Sequence, residues 1–294
     1  MLKMYHNMAH AGSSPDFWEE NWEAVDFERS VQFSAVDPLR PLFEKHLRPD
    51  TLMLEGGCGL GNYIGYYDTR GVNVIGLDFA QKALDTLHRR APHLKLAGGD
   101  VSQMPFADET FDLYYSGGVV EHFEGGADSA LSEARRVLKP DGTLLISVPY
   151  YNPLRKLLAP FRGVEWRRVT QPTVDADPEH SKQFFQYAYT RREFTDLLNR
   201  AGLDVIETQG YAVIWGLYEL PFFNSNGGGE FAQGKKNKKP IERADLTALS
   251  RDRPVSFAKR LAVSEDASVP LLGLGVRALR WAAANMMMYV CRRR

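Results

Sequence analysis

A glycine-rich segment early in the chain gives the clearest chemical signal. Residues 54–61 read LEGGCGLG, so a carboxylate, Glu55, directly precedes glycines that let a ligand approach the backbone closely. The dinucleotide fingerprint G-x-G-x-x-G, started at Gly57, would require a glycine where Asn62 stands. A pyrophosphate at a helix N-terminus also disfavours a neighbouring carboxylate. The segment therefore predicts a site for a ligand with a cationic group.

Two further carboxylates follow the glycines at regular intervals. Asp78 stands 17 residues after Gly61, and Asp100 stands 22 residues after Asp78, each at the end of a short apolar run. A carboxylate at the first position can accept hydrogen bonds from both hydroxyls of a ribose. Asp100 can accept one from an exocyclic amine, the N–H of Val101 can donate to a ring nitrogen, and Phe79 can lie on a purine face. The spacing therefore indicates a ligand with a ribose and a purine.

These residues need a scaffold that brings the ends of several strands together. Continuous apolar runs alternate with helical segments, which is typical of a doubly wound α/β protein with a parallel sheet covered on both faces. A capping box at Thr190 and Glu193, with Gly202 beyond it, predicts a later helix. The predicted strands are 51–55, 73–78, 94–100, 111–116, 143–149 and 203–208, and the predicted helices are 61–69, 81–90, 129–138 (closed by residues 139–142, KPDG) and 190–201.

With these features in place, the chain resembles the class I S-adenosylmethionine-dependent methyltransferases, in the small-molecule branch that includes ubiquinone and menaquinone biosynthesis enzymes. The likeness extends over about residues 48–210. It rests on the residues above and on residues 76–78 (GLD), 99–101 (GDV), 111–112 (FD), 119–123 (VVEHF) and 134–142 (ARRVLKPDG). The resemblance implies an α/β fold with a Rossmann-like seven-stranded sheet, its last strand antiparallel, helices on both faces and inserted lid segments.

The resemblance also implies roles in binding the methyl donor, S-adenosylmethionine. Glu55 and the backbone of the glycines after it would hold the methionine part of the donor. Asp78 would bind the ribose hydroxyls with Phe79 beside the adenine, and Asp100 and Val101 would contact the adenine edge. The end of the fourth strand would flank the sulfonium. The donor-binding residues so implied are Glu55, Gly56, Gly57, Gly59, Gly61, Asp78, Phe79, Asp100, Val101, Ser116 and Gly117.

Two side chains after the fourth strand are the candidates for catalysis. Glu121 and His122 stand where the acceptor should bind, and His122 can act as a general base that removes the acceptor's proton. The alternative is that both residues shape the donor pocket or cap a helix. The sequence has no metal-ligand spacing, so we expect no metal site.

The remaining segments predict a single domain enlarged by insertions that select the acceptor. The aromatic and arginine side chains of 151–189, Arg155 among them, either line the acceptor site or pack the insertion onto the sheet. The end of the chain is apolar and basic, and it has two interpretations. It is either a peripheral membrane helix, or a helix followed by a final strand over 286–291 that lies between the fifth and sixth strands. We favour the strand. The predicted parts are a helical lid (1–47), the donor-binding core (48–150), an acceptor lid (151–189), a core helix and strand (190–210), a second insertion (211–270) with a mobile loop over 224–239, and the final helix and strand (271–294).

Composition narrows the functional classes. With 36 Lys+Arg against 37 Asp+Glu the chain has a net charge of −1, so we expect no nucleic-acid partner, although residues 250–294 carry nine basic and three acidic side chains. Two cysteines and the absence of an apolar leader favour a cytoplasmic protein. We expect methyl transfer to a small molecule at oxygen. A catalytically silent donor-binding protein, C- or N-methylation of a lipid-linked or sugar precursor, and peripheral contact with a membrane stay open, and the oligomeric state is not indicated.

Overall fold

The computed structural model describes residues 1–6, 26–174, 183–220, 240–251, 256, 263–268 and 272–294. A seven-stranded sheet forms its centre. Its strands are β2 (Leu52–Gly56), β3 (Asn73–Asp78), β4 (Lys95–Gly98), β5 (Phe111–Gly117), β6 (Leu138–Pro149), β9 (Leu203–Tyr211) and β10 (Met286–Arg293). They lie in the order β4-β3-β2-β5-β6-β10-β9. Strands β2 to β6 are parallel, whereas β10 runs antiparallel to both β6 and β9.

Helices cover both faces of this sheet. Two separate apolar clusters, one on each side, bury the alternating side chains of the strands, as a parallel sheet requires. The helices are α1 (Phe27–Ser34), α2 (Arg40–His46), α3 (Asn62–Asp68), α4 (Gln81–Arg90), α5 (Asp128–Val137), α6 (Pro153–Leu158), α7 (Arg191–Arg200), α8 (Val213–Leu217), α9 (Arg243–Leu249) and α10 (Gly273–Ala283). The observed sheet and its reversed last strand confirm the predicted fold class.

The end of the chain forms the final strand predicted over 286–291, rather than continuing as a peripheral membrane helix. Met286–Arg293 forms β10, and its residues pair with β6 on one side and β9 on the other. Tyr289 and Cys291 are fully buried, so the apolar character of this segment belongs to the core. In the described part of the chain, no helix has the length and apolar character needed to cross a bilayer.

A second, three-stranded sheet corrects the predicted helical character of residues 1–47. Leu2–His6 is a strand, β1, which pairs antiparallel with β7 (Trp166–Arg168) and β8 (Gln183–Ala188). The prediction was wrong here because the partners of this strand lie more than 160 residues away, so no local periodicity reports them. Of the same segment, α1 and α2 are helical, and residues 7–25 lie outside the described part.

Two other predictions have different outcomes in the structure. Residues 139–142 belong to β6, which begins directly after α5, rather than to a closing turn. The buried Arg155 packs the insertion and does not face an acceptor: its guanidinium lies 2.6 Å from Glu219 and donates to the carbonyl of Tyr150. The predicted mobile loop over 224–239 lies outside the described residues.

We expect the contact between α8 and α10 to control stability through one glycine. A Cβ atom at Gly216 would lie 1.8 Å from the carbonyl oxygen of Ala283, so Gly216→Ala must displace backbone and should lower the free energy of unfolding by about 1–3 kcal/mol. Gly275, on α10 with open space around its Cβ position, is the matched control, and Gly275→Ala should raise stability by up to about 1 kcal/mol. Urea unfolding measures both, and equal effects would contradict this packing.

Candidate active site

The glycine loop between β2 and α3 has a backbone that few other residues could adopt. Gly57, Gly59 and Gly61 have φ angles of 74°, 49° and 68°, in the left-handed region. A Cβ atom at Gly57 would also lie 2.3 Å from a methyl group of Val119. The N–H groups of Gly57 and Cys58 both donate to the carbonyl of Leu77, at 2.8 and 3.0 Å. These bonds fix the loop against the end of β3.

Glu55 ends β2 as a carboxylate that water barely reaches, with 4% of its surface exposed. It accepts a hydrogen bond from the N–H of Ile64, at 2.9 Å, in the first turn of α3. Burial raises the pKa of Glu55 to about 8, with a smaller contribution from the charge of Asp78. No described lysine or arginine forms an ion pair with it. A buried carboxylate without a cation is costly, so this position is suited to a cationic ligand group.

Asp78 ends the neighbouring strand and holds the loop from the other side. Its two oxygens accept from the N–H groups of Gly59, at 2.7 Å, and Ala80, at 2.9 Å. Burial raises its pKa, and these backbone donors oppose that rise. Asp78 therefore has a structural role in the loop besides the predicted one in binding a ribose.

One cleft of about 230 Å³ gathers most of the predicted donor-binding residues at the carboxyl edge of the sheet. Phe79 lines this cleft with 41% of its surface exposed. Asp100 is exposed, with one oxygen accepting from the N–H of Ser102, and Val101 is buried beside it. The predicted residues that line the cleft are Gly57, Asp78, Phe79, Asp100, Val101, Gly117 and His122.

Other predicted residues lie behind the cleft wall. Glu55, Gly59 and Gly61 belong to the strand end and loop beneath it, and Gly56 packs so closely that its Cβ position is 2.4 Å from the hydroxyl of Tyr114. Ser116 and Glu121 are buried, each with a side-chain oxygen that has no hydrogen-bond partner among the described residues. These residues shape the site rather than form its surface in this conformation.

His122 has a defined tautomer. Its Nδ1 lies 2.7 Å from the carbonyl of Phe185 on β8, and because a carbonyl only accepts, Nδ1 carries the hydrogen and Nε2 the lone pair. Burial lowers the pKa of His122 to about 4, so the ring is neutral at neutral pH. Burial raises the pKa of Glu121 to about 8, so its carboxyl group, 3.9 Å from Nε2, is mostly protonated at pH 7.

The sequence interpretation missed several contributions to this site. Val119 and Phe123 line the cleft, and Phe185 fixes the catalytic candidate from a strand that was not predicted. A buried group around Tyr63 and Tyr115 lies on the other side of the sheet edge, with ring centroids 4.8 Å apart. Tyr63 donates to Asp37, whose pKa burial raises to about 6. Of these residues, only Val119 and Phe123 had a local signal in the sequence, because they belong to the run 119–123 that contains Glu121 and His122.

The low pKa of His122 predicts acid sensitivity with a definite sign. Its folded pKa lies below the unfolded value of 6.5, so protonation favours the unfolded chain and stability falls as the pH drops from 6.5 towards 4. Between pH 7 and 5, the native protein should lose about 2 kcal/mol more unfolding free energy than His122→Gln does. Urea unfolding at both pH values measures this. The exposed His88, changed to Gln, is the control, and the same pH response in native protein and His122→Gln would contradict a neutral buried ring.

Comparisons with known proteins agree with this geometry. Residues 54–146 match a family model described as a methyltransferase domain. A Mycolicibacterium smegmatis protein named "probable S-adenosylmethionine-dependent methyltransferase" is 29% identical over 57% of this chain and 58% of its own length. A malonyl-[acyl-carrier protein] O-methyltransferase of Serratia marcescens is 31% identical over 50% of this chain and 54% of its own length.

A third relative has a different acceptor in its name. The demethylmenaquinone methyltransferase of Renibacterium salmoninarum is 28% identical over 65% of this chain and 79% of its own length. The chain spans little more than half the length of the first two relatives. The matched segment begins in β2 and ends in β6, and it contains the glycine loop, the carboxylates of the cleft and the Glu121-His122 pair. Over residues 54–146 the chain is therefore similar to a methyltransferase domain, and its relatives include S-adenosylmethionine-dependent methyltransferases by name.

Proposed function

We propose that this protein transfers the methyl group of S-adenosylmethionine to a small-molecule acceptor at an oxygen atom. The observation that carries the proposal is the buried Glu55 carboxyl group, which has a backbone donor but no cationic partner in the described part of the chain. The ammonium group of the donor's methionine part would supply the missing positive charge. Because Glu55 lies under the glycine loop, a small movement of that loop would accompany binding.

The cleft supports the adenosine half of the same assignment. Asp78 stands where it can accept from ribose hydroxyls, and the exposed ring of Phe79 offers a face to the adenine. Asp100 and the N–H of Val101 border the same space and suit the adenine edge. An apolar wall with a few convergent polar groups is typical of a nucleoside site.

S-Adenosylmethionine supplies a methyl group already activated by a sulfonium, so the protein chiefly has to align the acceptor and remove its proton. His122 can accept the proton of an acceptor hydroxyl at Nε2 as the oxygen bonds to the methyl carbon and the carbon–sulfur bond breaks. A base with a pKa of about 4 suits an acidic hydroxyl group better than an alkyl alcohol. The name of the Serratia marcescens relative states O-methylation, which supports oxygen as the methylated atom.

The protonated Glu121 suits a different role. At pH 7 its carboxyl group can donate a hydrogen bond but cannot act as a base. We therefore assign it to positioning behind the cleft wall, where its Oε1 lies 3.5 Å from the Cβ position of Gly118. Of the two candidates, His122 remains as the base.

Binding of the donor product should release a proton. If an ammonium group approaches Glu55, the pKa of that carboxyl falls from about 8, so S-adenosylhomocysteine should expel up to about 0.9 proton at pH 7 and almost none at pH 9.5. Calorimetry in buffers of different ionisation enthalpy measures this number. Glu55→Gln should abolish the release and weaken binding, whereas Glu121→Gln, which removes the other carboxyl of raised pKa, should leave the release intact. Absence of binding by the native protein would contradict the proposal.

Turnover is tested with radiolabelled S-adenosylmethionine against fractionated small molecules and lipids. We expect one fraction to accept the label in an ester or ether, and His122→Ala to lower kcat by about 10²–10⁴ with unchanged affinity for S-adenosylhomocysteine. Undiminished turnover in that variant would remove His122 as the base. Donor binding without labelling of any fraction would favour a silent binding protein, and label on carbon or nitrogen would contradict O-methylation.

A further inference from the structure

A strongly basic depression, which shares no lining residue with the cleft described above, lies over the β9–β10 edge of the large sheet. It has a volume of about 610 Å³ and is bordered by α6, the start of α7 and α10. Its lining carries five cationic side chains and no carboxylate. The cations are Lys156, Arg191, Arg192, Arg277 and Arg280.

Three of these charges have no carboxylate partner among the residues that the structure describes. Arg280 lies 3.2 Å from Glu265, and Arg192 lies 3.9 Å from Asp196. Lys156, Arg191 and Arg277 form no ion pair with a carboxylate in the described ranges of the chain. Since like charges in one depression repel each other, this arrangement favours an anionic occupant.

The depression has an apolar rim formed by the outer face of α10. Gly273, Val276 and Ala283 bury one side of this helix against the protein. On the opposite side, Leu274 is 73% exposed and Trp281, which also lines the depression, is 66% exposed. A helix that is apolar on its outward side as well as its inward side is suited to contact a second apolar environment outside the protein core.

The neighbouring helix α6 also carries an exposed apolar side chain next to a cation. α6 packs against α10, and Lys156 is followed there by Leu157, which is 68% exposed. Phe161, three residues after α6, is 82% exposed. Large apolar side chains therefore adjoin unpaired cations on both elements.

We propose that this face, formed by α6, α10 and the basic depression, binds the surface of an anionic phospholipid bilayer. Lipid phosphates would occupy the depression, while Trp281, Leu274 and Leu157 enter the interfacial layer. A free phosphate would account for the cations but not for the exposed apolar rim. A second copy presenting the same face would bring the two sets of cations together, so charge complementarity disfavours a symmetric dimer here.

The position of the face gives this binding a structural consequence. α10 leads directly into β10, whose first residue is Met286. The Met286 Cε lies 3.8 Å from the Cβ position of Gly118 on the wall of the cleft. A bilayer bound at α10 would thus lie close to the cleft rim. The proposal itself does not depend on methyl transfer.

Vesicle co-sedimentation of the full chain tests the proposal. We expect binding to mixed phosphatidylcholine–phosphatidylglycerol vesicles and not to phosphatidylcholine alone, with weaker binding at high salt. Changing Arg191→Gln and Arg277→Gln together should lower vesicle affinity roughly 30-fold, because each basic residue near an anionic surface contributes about fivefold. Trp281→Ser should weaken binding at every salt concentration.

The matched control removes two exposed charges at the far side of the sheet. Arg89→Gln with Lys95→Gln, on α4 and the edge strand β4, should leave vesicle binding unchanged. Equal loss in this control, or equal binding to neutral vesicles, would overturn the proposal. So would retention of inorganic phosphate at the depression with no vesicle binding. Binding of S-adenosylhomocysteine by each variant, measured in parallel, keeps this result separate from the outcome for methyl transfer.

Discussion

The rest of the site depends on two carboxylates held out of water at the ends of adjacent parallel strands. Glu55 and Asp78 are each 4% exposed, and both accept hydrogen bonds from backbone N–H groups. Ile64 donates to Glu55, while Gly59 of the glycine loop and Ala80 after β3 donate to Asp78. The loop that carries the Gly59 N–H adopts left-handed backbone angles, which glycine allows. With a pKa of about 8, Glu55 is mostly protonated at pH 7 in the ligand-free protein, and an approaching cation would favour its ionised form, so the position is suited to a cationic ligand group.

The position of the first insertion depends on a different constraint, the closing of the sheet by β10. This strand is buried between β6 and β9, and the residues just before it tie the first insertion to the core. Asn152 donates to the carbonyl of Ala284, and Arg155 donates to that of Asn285 while pairing with Glu219. The insertion also supplies the carbonyl of Phe185 that sets the tautomer of His122. Elements far apart in sequence thus converge on one side of the cleft.

The contrast between predicted and observed features follows from the range of the interactions. The strands and helices around the glycine loop were predictable, because each carries its own apolar pattern and ends in a recognisable residue such as Asp78 or Gly202. The buried β10 was predictable from its apolar run and the family resemblance. β1 and β8 were not, since they are stabilised by pairing with each other across the chain. The candidate site shows the same contrast. Its residues near the glycine loop could be proposed from local motifs, whereas the protonated Glu121 and the neutral His122 result from burial that no local pattern reveals.

An experimental structure of the chain with S-adenosylhomocysteine would show directly whether Glu55 receives a cation. We expect the ligand in the cleft lined by Asp78 and Phe79, with its ammonium group within hydrogen-bond distance of Glu55 and its ribose hydroxyls on Asp78. A ligand whose ammonium group points to solvent, with Glu55 still bonded only to the N–H of Ile64, would contradict the central claim that the buried carboxylate exists to receive a cation.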